Sequence, residues 1–335
     1  MPTVKEIAER SGVSPATVSR VMNGSGSVTA GKRERVLAVL EALGGTRPQR
    51  RGGSRSMNIG ILLSDSPESD SHAILQKLAF LAGQMRQHWN LLLLPAGILP
   101  QELEARHLRG ELAGLFLVGH AADSPELIRA LRRIPYVWLN SHHSCGTDPT
   151  VLMGNEFAGR IAARYLKDAG CSRFLLLSAP SRNPGFPGRI AGFRFELFSQ
   201  GETCETVELR LPPGRPGFEI CTDDEIEQAL DAALPRFESG TVDGLFSPEE
   251  RITALLYRRF ARRRTAARPL VVSCNHTPEY LTGLHPRPAT IDLGPRMLAE
   301  LALKELLRRI SGETPRADHV AVIVTPQLIP GDLPG

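Results

Sequence analysis

The stretch from Thr3 to Asn23, TVKEIAERSGVSPATVSRVMN, constrains this chain more than any other. Thr3 followed three residues later by Glu6 is a capping box, so a short helix is expected from Val4 through Ile7, Ala8 and Arg10. Ser11-Gly12-Val13 breaks it, because Gly12 can take a positive φ in a tight interhelical turn with no Cβ penalty. Ser14 then caps a second helix with Pro15 at its first position, where a missing N–H costs nothing. Ala8, Val13, Val18, Val21 and Met22 fall on the inner sides of the two helices and set their angle. Pro15, Ala16, Thr17, Ser19 and Arg20 are left pointing outward. A helix-turn-helix of this kind lays its second helix in the major groove of DNA.

The outward set makes chemical sense against nucleic acid. Arg20 can donate two parallel hydrogen bonds to the O6 and N7 of a guanine, while Ala16 and Pro15 offer apolar contact, for instance to a thymine methyl. Thr17, Ser19 and Asn23 are short neutral hydrogen-bonders suited to phosphate oxygens. The alternative, a pair of amphipathic surface helices, would need caps, turn glycine and apolar spacing to agree without a common cause. The run VSPATVSRVMNG, followed by VTAGKRERVLAVLEALG, resembles the amino-terminal domain of the LacI/GalR family of bacterial transcription regulators. That resemblance implies that Pro15, Ala16 and Arg20 read bases. It also implies that Thr3, Val4, Thr17, Ser19, Asn23, Val28, Lys32 and Arg33 lie along the DNA backbone.

Charge agrees with this reading. Residues 1–56 hold ten Lys/Arg against four Asp/Glu, a balance of +6 within a total of +4, so the rest of the chain carries −2. Positive charge is concentrated on the reader, as phosphate binding requires. At 335 residues the chain suits a small reader followed by a two-lobed body. The five cysteines, Cys145, Cys171, Cys204, Cys221 and Cys274, form no CxxC pair and are odd in number, so reduced thiols are expected. No apolar run reaches the length of a membrane span, and the amino terminus lacks the apolar core of a signal peptide. A cytoplasmic, nucleoid-associated bacterial protein with no membrane partner is the expectation.

Val28-Thr29 should start a third helix through Lys32, Val36, Val39, Leu40 and Leu43, ended by Gly44-Gly45, so the reader is assigned to residues 1–45. Residues 46–57 begin TRPQRRGGSRS, with four arginines and two glycines, and read as a flexible basic linker. Here the sequence departs from the family pattern. Gly45 replaces the usual aromatic, and Gly52-Gly53 stand where a hinge helix and its groove-wedging leucine are usual. Each glycine disfavours a helix by about 1 kcal/mol relative to alanine. Two readings remain open: Arg50, Arg51 and Arg55 enter a narrow minor groove as extended side chains, or the segment is a solvated tether.

From Asn58 onward short apolar runs alternate with helical ones. Strands are expected at 58–63, 90–94, 114–118, 136–139, 173–178, 206–211, 244–246 and 270–273. Helices are expected at 72–87, 100–110, 125–133, 156–169, 190–200, 223–237 and 250–263. Such βαβ alternation implies parallel sheets with helices on both faces. By resemblance, which continues in Ala169-Gly170, Arg189-Ile-Ala-Gly192-Phe193 and Ala289-Thr-Ile-Asp292, the body at 58–335 is a two-lobed, periplasmic-binding-protein-like (type I) fold. The first lobe is assigned to 58–153 plus 289–317 and the second to 154–288 plus 318–330. The full expectation is therefore an all-α helix-turn-helix domain followed by an α/β body.

Ligands of such sheets bind beyond the carboxyl ends of the strands, here Ser64-Asp65, Gly119-His120, Asn140, Ser178–Ser181, Ser247–Glu250 and Asn275. Arg189 matches the family arginine that clamps the effector, and a planar fork suits two sugar hydroxyls or a carboxylate. Asn140 and Asn275 stand where Asp is usual, and Glu249-Glu250 where Asn-Asp is usual, which changes the donors offered. Asn140, Arg189, Glu250 and Asn275 are the candidate effector contacts, and a sugar-like molecule the expected ligand. No GxxxxGK[ST], HExxH or GxSxG is present, so neither catalysis nor a cofactor is expected. His142-His143 with Cys145 lack a second ligand pair at useful spacing, so no metal is expected. The Arg258–Arg264 cluster reads either as a second nucleic-acid patch or as the solvated end of a helix. The resemblance implies a homodimer on a near-palindromic operator. An effector-blind architectural DNA binder and a sugar-binding module with incidental amino-terminal helices are the rival classes.

Overall fold

In the computed structural model of the protein, which describes residues 3–23, 28–43, 57–63, 79–83, 89–95, 97–118, 125–139, 148–238, 241–263, 268–314 and 320–332, the first helix begins where the capping box predicts. Thr3 Oγ1 accepts from Glu6 N at 3.3 Å, opening α1 (Val4–Ser11). Gly12 closes it at φ 64, with its N–H on the Ala8 carbonyl. Ser14 opens α2 (Pro15–Asn23), its hydroxyl accepting from Thr17 N at 3.3 Å and its carbonyl from Val18 N at 3.1 Å. A third helix, α3 (Ala30–Ala42), crosses both. Ile7, Ala8, Val18, Val21, Val36 and Leu40 are buried together, with Val13, Val28, Leu37, Val39 and Leu43 packed against them. Each large aliphatic so buried contributes roughly 1.5–3 kcal/mol, which is what holds so short a chain in one shape.

The chain divides into two compact units, Met1–Met57 with Arg86–Asn90, and Asn58–Met85 with Leu91–Gly335. The second holds two six-stranded sheets. One is made by β1 (Met57–Leu63), β2 (Trp89–Leu94), β3 (Gly114–Val118), β4 (Tyr136–Leu139) and β5 (Thr150–Met153), interleaved with α4 (Pro100–Leu108) and α5 (Pro125–Leu131). The other is made by β6 (Phe174–Ser178), β7 (Cys204–Glu208), β8 (Gly244–Phe246), β9 (Leu270–Cys274) and β10 (Ala289–Asp292). Its helices are α6 (Asn155–Asp168), α7 (Phe186–Ser199), α8 (Asp223–Glu238), α9 (Glu250–Arg263) and the short α10 (Pro278–Leu281). After α11 (Pro295–Ser311), β11 (Ala321–Val324) joins the first sheet and β12 (Gln327–Ile329) the second. The strand orders are β11-β5-β4-β3-β1-β2 and β12-β10-β9-β8-β6-β7. The described pairings are parallel except that of β12 with β10. β3 and β6 are buried along their whole length, as parallel strands covered on both faces must be.

The lobe boundaries near the carboxyl terminus differ from expectation. β10 was assigned to the first lobe but pairs with β9 in the second sheet, Ala289 opposite Val272 and Ile291 opposite Cys274. The chain crosses only afterwards, and α11 then packs on β3, β4 and β5. β11, assigned to the second lobe, pairs with β5 in the first. The return lies between Val324 and Gln327. Pairing partners far away in the chain decide both placements, and strands of four residues are too short to carry a periodicity of their own. Helix α7 also begins four residues before its expected start at Ile190, because Pro187 is tolerated in a first turn. The expected helix at 72–87 lies largely outside the described residues, which show helix over 79–83.

Gly159 on α6 and Gly192 on α7 let the two helix backbones touch. A Cβ built on Gly192 would stand 2.0 Å from Glu156 O, and one on Gly159 would stand 2.0 Å from Arg189 O. Both obstacles are backbone. This contact delivers the first turn of α7, and with it Arg189, to the ends of the second sheet's strands.

Candidate nucleic-acid interface and ligand cleft

On the reader, Pro15, Ala16 and Arg20 are all exposed on α2, and Lys32 is exposed on α3. Thr3 and Val4 are exposed at the start of α1, while Thr17, Ser19 and Val28 are half-buried. Two of the expected backbone-contacting hydroxyls also have a local task. Thr3 caps α1, and Thr17 Oγ1 pairs with Ser14 Oγ at 2.9 Å. Each cap orders the first N–H groups of its helix, which are themselves phosphate donors. The side chains of Met22, Asn23 and Arg33 lie outside the described residues, as do the linker arginines Arg50, Arg51 and Arg55.

In the body, the first-lobe strand ends, including Ser64, Asp65, Gly119, His120 and Asn140, lie outside the described residues, as do His142, His143 and Cys145. The second-lobe wall is described. Arg189 has 3% exposure; its Nε donates to Asn155 Oδ1 at 3.0 Å and its Nη1 to Pro248 O at 2.7 Å. Nη1 also lies 3.8 Å from Glu249 Oε2, which accepts from Asn275 Nδ2 at 2.8 Å. The structure thus brings Arg189 and Asn275 to one place and bridges them through Glu249. Asn155 and Glu249 were missed as members of this group. Asn155 opens α6 more than thirty residues from Arg189, and no local spacing announces the pairing.

Glu250 requires a correction. It is fully buried, and its carboxylate accepts from His276 N at 2.7 Å, from Thr277 N at 2.5 Å and from the Thr290 hydroxyl. With both oxygens so engaged it is not a ligand contact. It braces the corner after β9, where Asn275 and His276 take φ values of 116 and 56 that non-glycine residues seldom adopt. Glu250 therefore positions Asn275 through the backbone. Burial pushes its pKa up to about 7 despite those three donors.

The other candidates resolve into structural roles. Arg258 pairs with Asp223 at 3.3 Å, Arg262 with Glu227 at 2.6 Å, and Arg259 with Asp231 and Glu227, so the arginines of α9 are neutralised by α8. Burial pushes the Cys171 and Cys274 thiols up to about 11 and about 12, values at which they are unreactive. Among the described residues no group of three His, Cys, Asp or Glu side chains is placed to hold a metal. No described helix is long and apolar enough to cross a membrane.

Known proteins resemble this chain on both counts. The sequence profile of "Bacterial regulatory proteins, lacI family" matches residues 3–46. The HTH-type transcriptional regulator MalR of Streptomyces coelicolor is 32% identical over 218 residues, 62% of either chain. The HTH-type transcriptional regulator reg1 of Streptomyces lividans is 31% identical over 199 residues, 56% of either chain. The aligned stretches thus span less than two thirds of those relatives. The fold is shared with a transcriptional regulator CelR–cellobiose complex, at TM-score 0.59 and 21% identity over 99% of both chains. It is shared also with the Lac repressor dimer bound to operator and an anti-inducer, at TM-score 0.59 and 21% identity over 98% of both chains. With its capped reader at the amino terminus and two parallel sheets behind it, the chain belongs to the LacI/GalR family of bacterial transcription regulators.

Proposed function

We propose that the protein is a sequence-specific DNA-binding transcription repressor whose operator affinity is set by a small sugar-class ligand held between the two lobes. The observation that carries the DNA half is the exposed triad Pro15, Ala16 and Arg20 on a helix whose caps and buried valines fix its orientation. One such helix makes few base contacts, so the protein acts as a homodimer on a near-palindromic site, where two-fold symmetry doubles them. The domains follow the same division: the reader over residues 1–45, the linker over 46–57 with Arg50, Arg51 and Arg55 near the minor groove, and the body beyond. Thr3, Val4, Thr17, Ser19, Asn23, Val28, Lys32 and Arg33 hold the phosphates on either side.

The ligand half rests on the buried polar wall around Arg189 and Asn275, with Asn140 opposite on the first lobe. Sugar is the favoured class because hydroxyls match paired donors and acceptors, and because relatives carry names such as MalR or are seen with cellobiose. The lobes are joined at Met153–Asn155, Asp292–Pro295 and Val324–Gln327, so a ligand touching both biases their angle. It changes operator affinity only by its differential affinity for the two arrangements. The protein acts in the cytoplasm, at the chromosome.

The test is fluorescence anisotropy of the full-length protein on its own upstream DNA and on a scrambled duplex at near-physiological salt. Preference for the upstream DNA by a factor of at least about 10³ supports the reading. Equal, steeply salt-dependent binding to both would replace it with an architectural binder, and no binding to either with a sugar-binding module.

A further inference from the structure

Glu249 occupies a position that a ligand would otherwise take. Arg189 and Asn275 approach from opposite sides, one from α7 and the other from the end of β9, and the carboxylate of Glu249 stands between them. One oxygen, Oε2, serves both: 2.8 Å from Asn275 Nδ2 and 3.8 Å from Arg189 Nη1. The side chains of Arg189 and Glu249 are 3% and 8% exposed, so water screens this pair weakly. Their charges cancel. The other buried ionisable side chain at these strand ends is Glu250, again acidic. The described wall therefore has an arginine but no excess positive charge, and its arginine is held by Asn155, Pro248 and Glu249.

We propose that Glu249 determines the charge class of the effector, making the cleft a receptor for a neutral polyhydroxylated molecule that rejects its phosphorylated or carboxylated counterparts. The proposal rests on the ligand half of the proposed function and narrows it. A neutral sugar hydroxyl donates to the carboxylate of Glu249 and accepts from Arg189 or Asn275, completing a network in which every partner is satisfied. A phosphate or carboxylate in the same place meets Glu249 as a like charge at contact distance. In a site this buried, such repulsion reduces affinity by about tenfold or more. Glu249→Gln keeps an acceptor oxygen for Asn275, removes the negative charge and leaves Arg189 as an unbalanced cation. The variant should therefore admit anions.

The experiment titrates full-length wild type and E249Q by calorimetry with matched pairs: glucose and glucose 6-phosphate, maltose and maltose 6′-phosphate, glucose and glucuronate. Circular dichroism confirms that both proteins are folded. Wild type is expected to bind a neutral member at least about tenfold more tightly than its anionic counterpart, and E249Q to lose most of that preference. Wild type alone decides the matter if the variant does not fold: equal or tighter binding of an anionic member overturns the proposal while leaving a ligand-controlled regulator intact. An unchanged preference in folded E249Q overturns the assignment to Glu249. Binding of none of these probes, in protein that still recognises its upstream DNA, removes the sugar-ligand reading and this inference with it, but not the DNA-binding one.

Discussion

Gly192→Ala tests whether the α6–α7 contact organises the second lobe. Its Cβ would stand 2.0 Å from Glu156 O, 2.8 Å from Glu156 C and 3.0 Å from Glu156 Cα, all backbone atoms that no rotamer change can move. An ordinary contact needs roughly 3.2 Å or more, so the helices must part by about 1 Å along a seam that buries Ala158, Ala162, Ala163 and Phe193. Overpacking of this kind costs about 1–3 kcal/mol, and a backbone obstacle belongs at the upper end. Alanine recovers about 1 kcal/mol of helix propensity, leaving a net loss of about 2 kcal/mol. In a body of this size that lowers Tm by roughly 4–8 °C. Gly188→Ala on the same helix is the control, since its nearest neighbour would be Asn155 Cβ at 3.3 Å. Thermal unfolding of both variants reads the difference. If G192A is as stable as wild type, or G188A loses as much as G192A, close backbone approach is not what these glycines supply.

Two further outcomes are expected. Glu250 has a folded pKa near 7, above the ordinary carboxylate value of 4.5, so the folded state binds the proton more tightly and stability from this group declines as pH rises from about 5 to 8. At most about 3 kcal/mol is involved, and E250Q, weaker overall because its amide cannot accept from Thr277 N, should flatten the pH dependence seen in denaturant unfolding; an unaltered slope would assign it to other groups. Arg20→Ala should cost about 1–3 kcal/mol on the cognate operator and relax choice at one base pair, and an equal loss on all sequences would reduce Arg20 to a phosphate contact.

How much was legible in advance follows the range of the forces involved. The reader could be derived residue by residue: the Thr3 cap, the Gly12 turn, the Ser14-Pro15 start and the valine spacing act within four positions of one another, and the structure places each where local chemistry puts it. The longer βα units were legible for the same reason, because strands such as 114–118 and 244–246 are unbroken apolar runs between helical patterns. What only the tertiary structure decided depends on partners far apart in the chain. The strands at 289–292 and 321–324 have four residues each and took their sheets from β9 and β5. Glu250 reads in sequence as a ligand contact, and only the approach of His276, Thr277 and Thr290 turned it into a brace. Arg189 could be singled out from its motif, yet its partners come from Asn155, Pro248 and Glu249. Side-chain chemistry is written along the chain, whereas the distance at which two charges meet is a property of the packed fold.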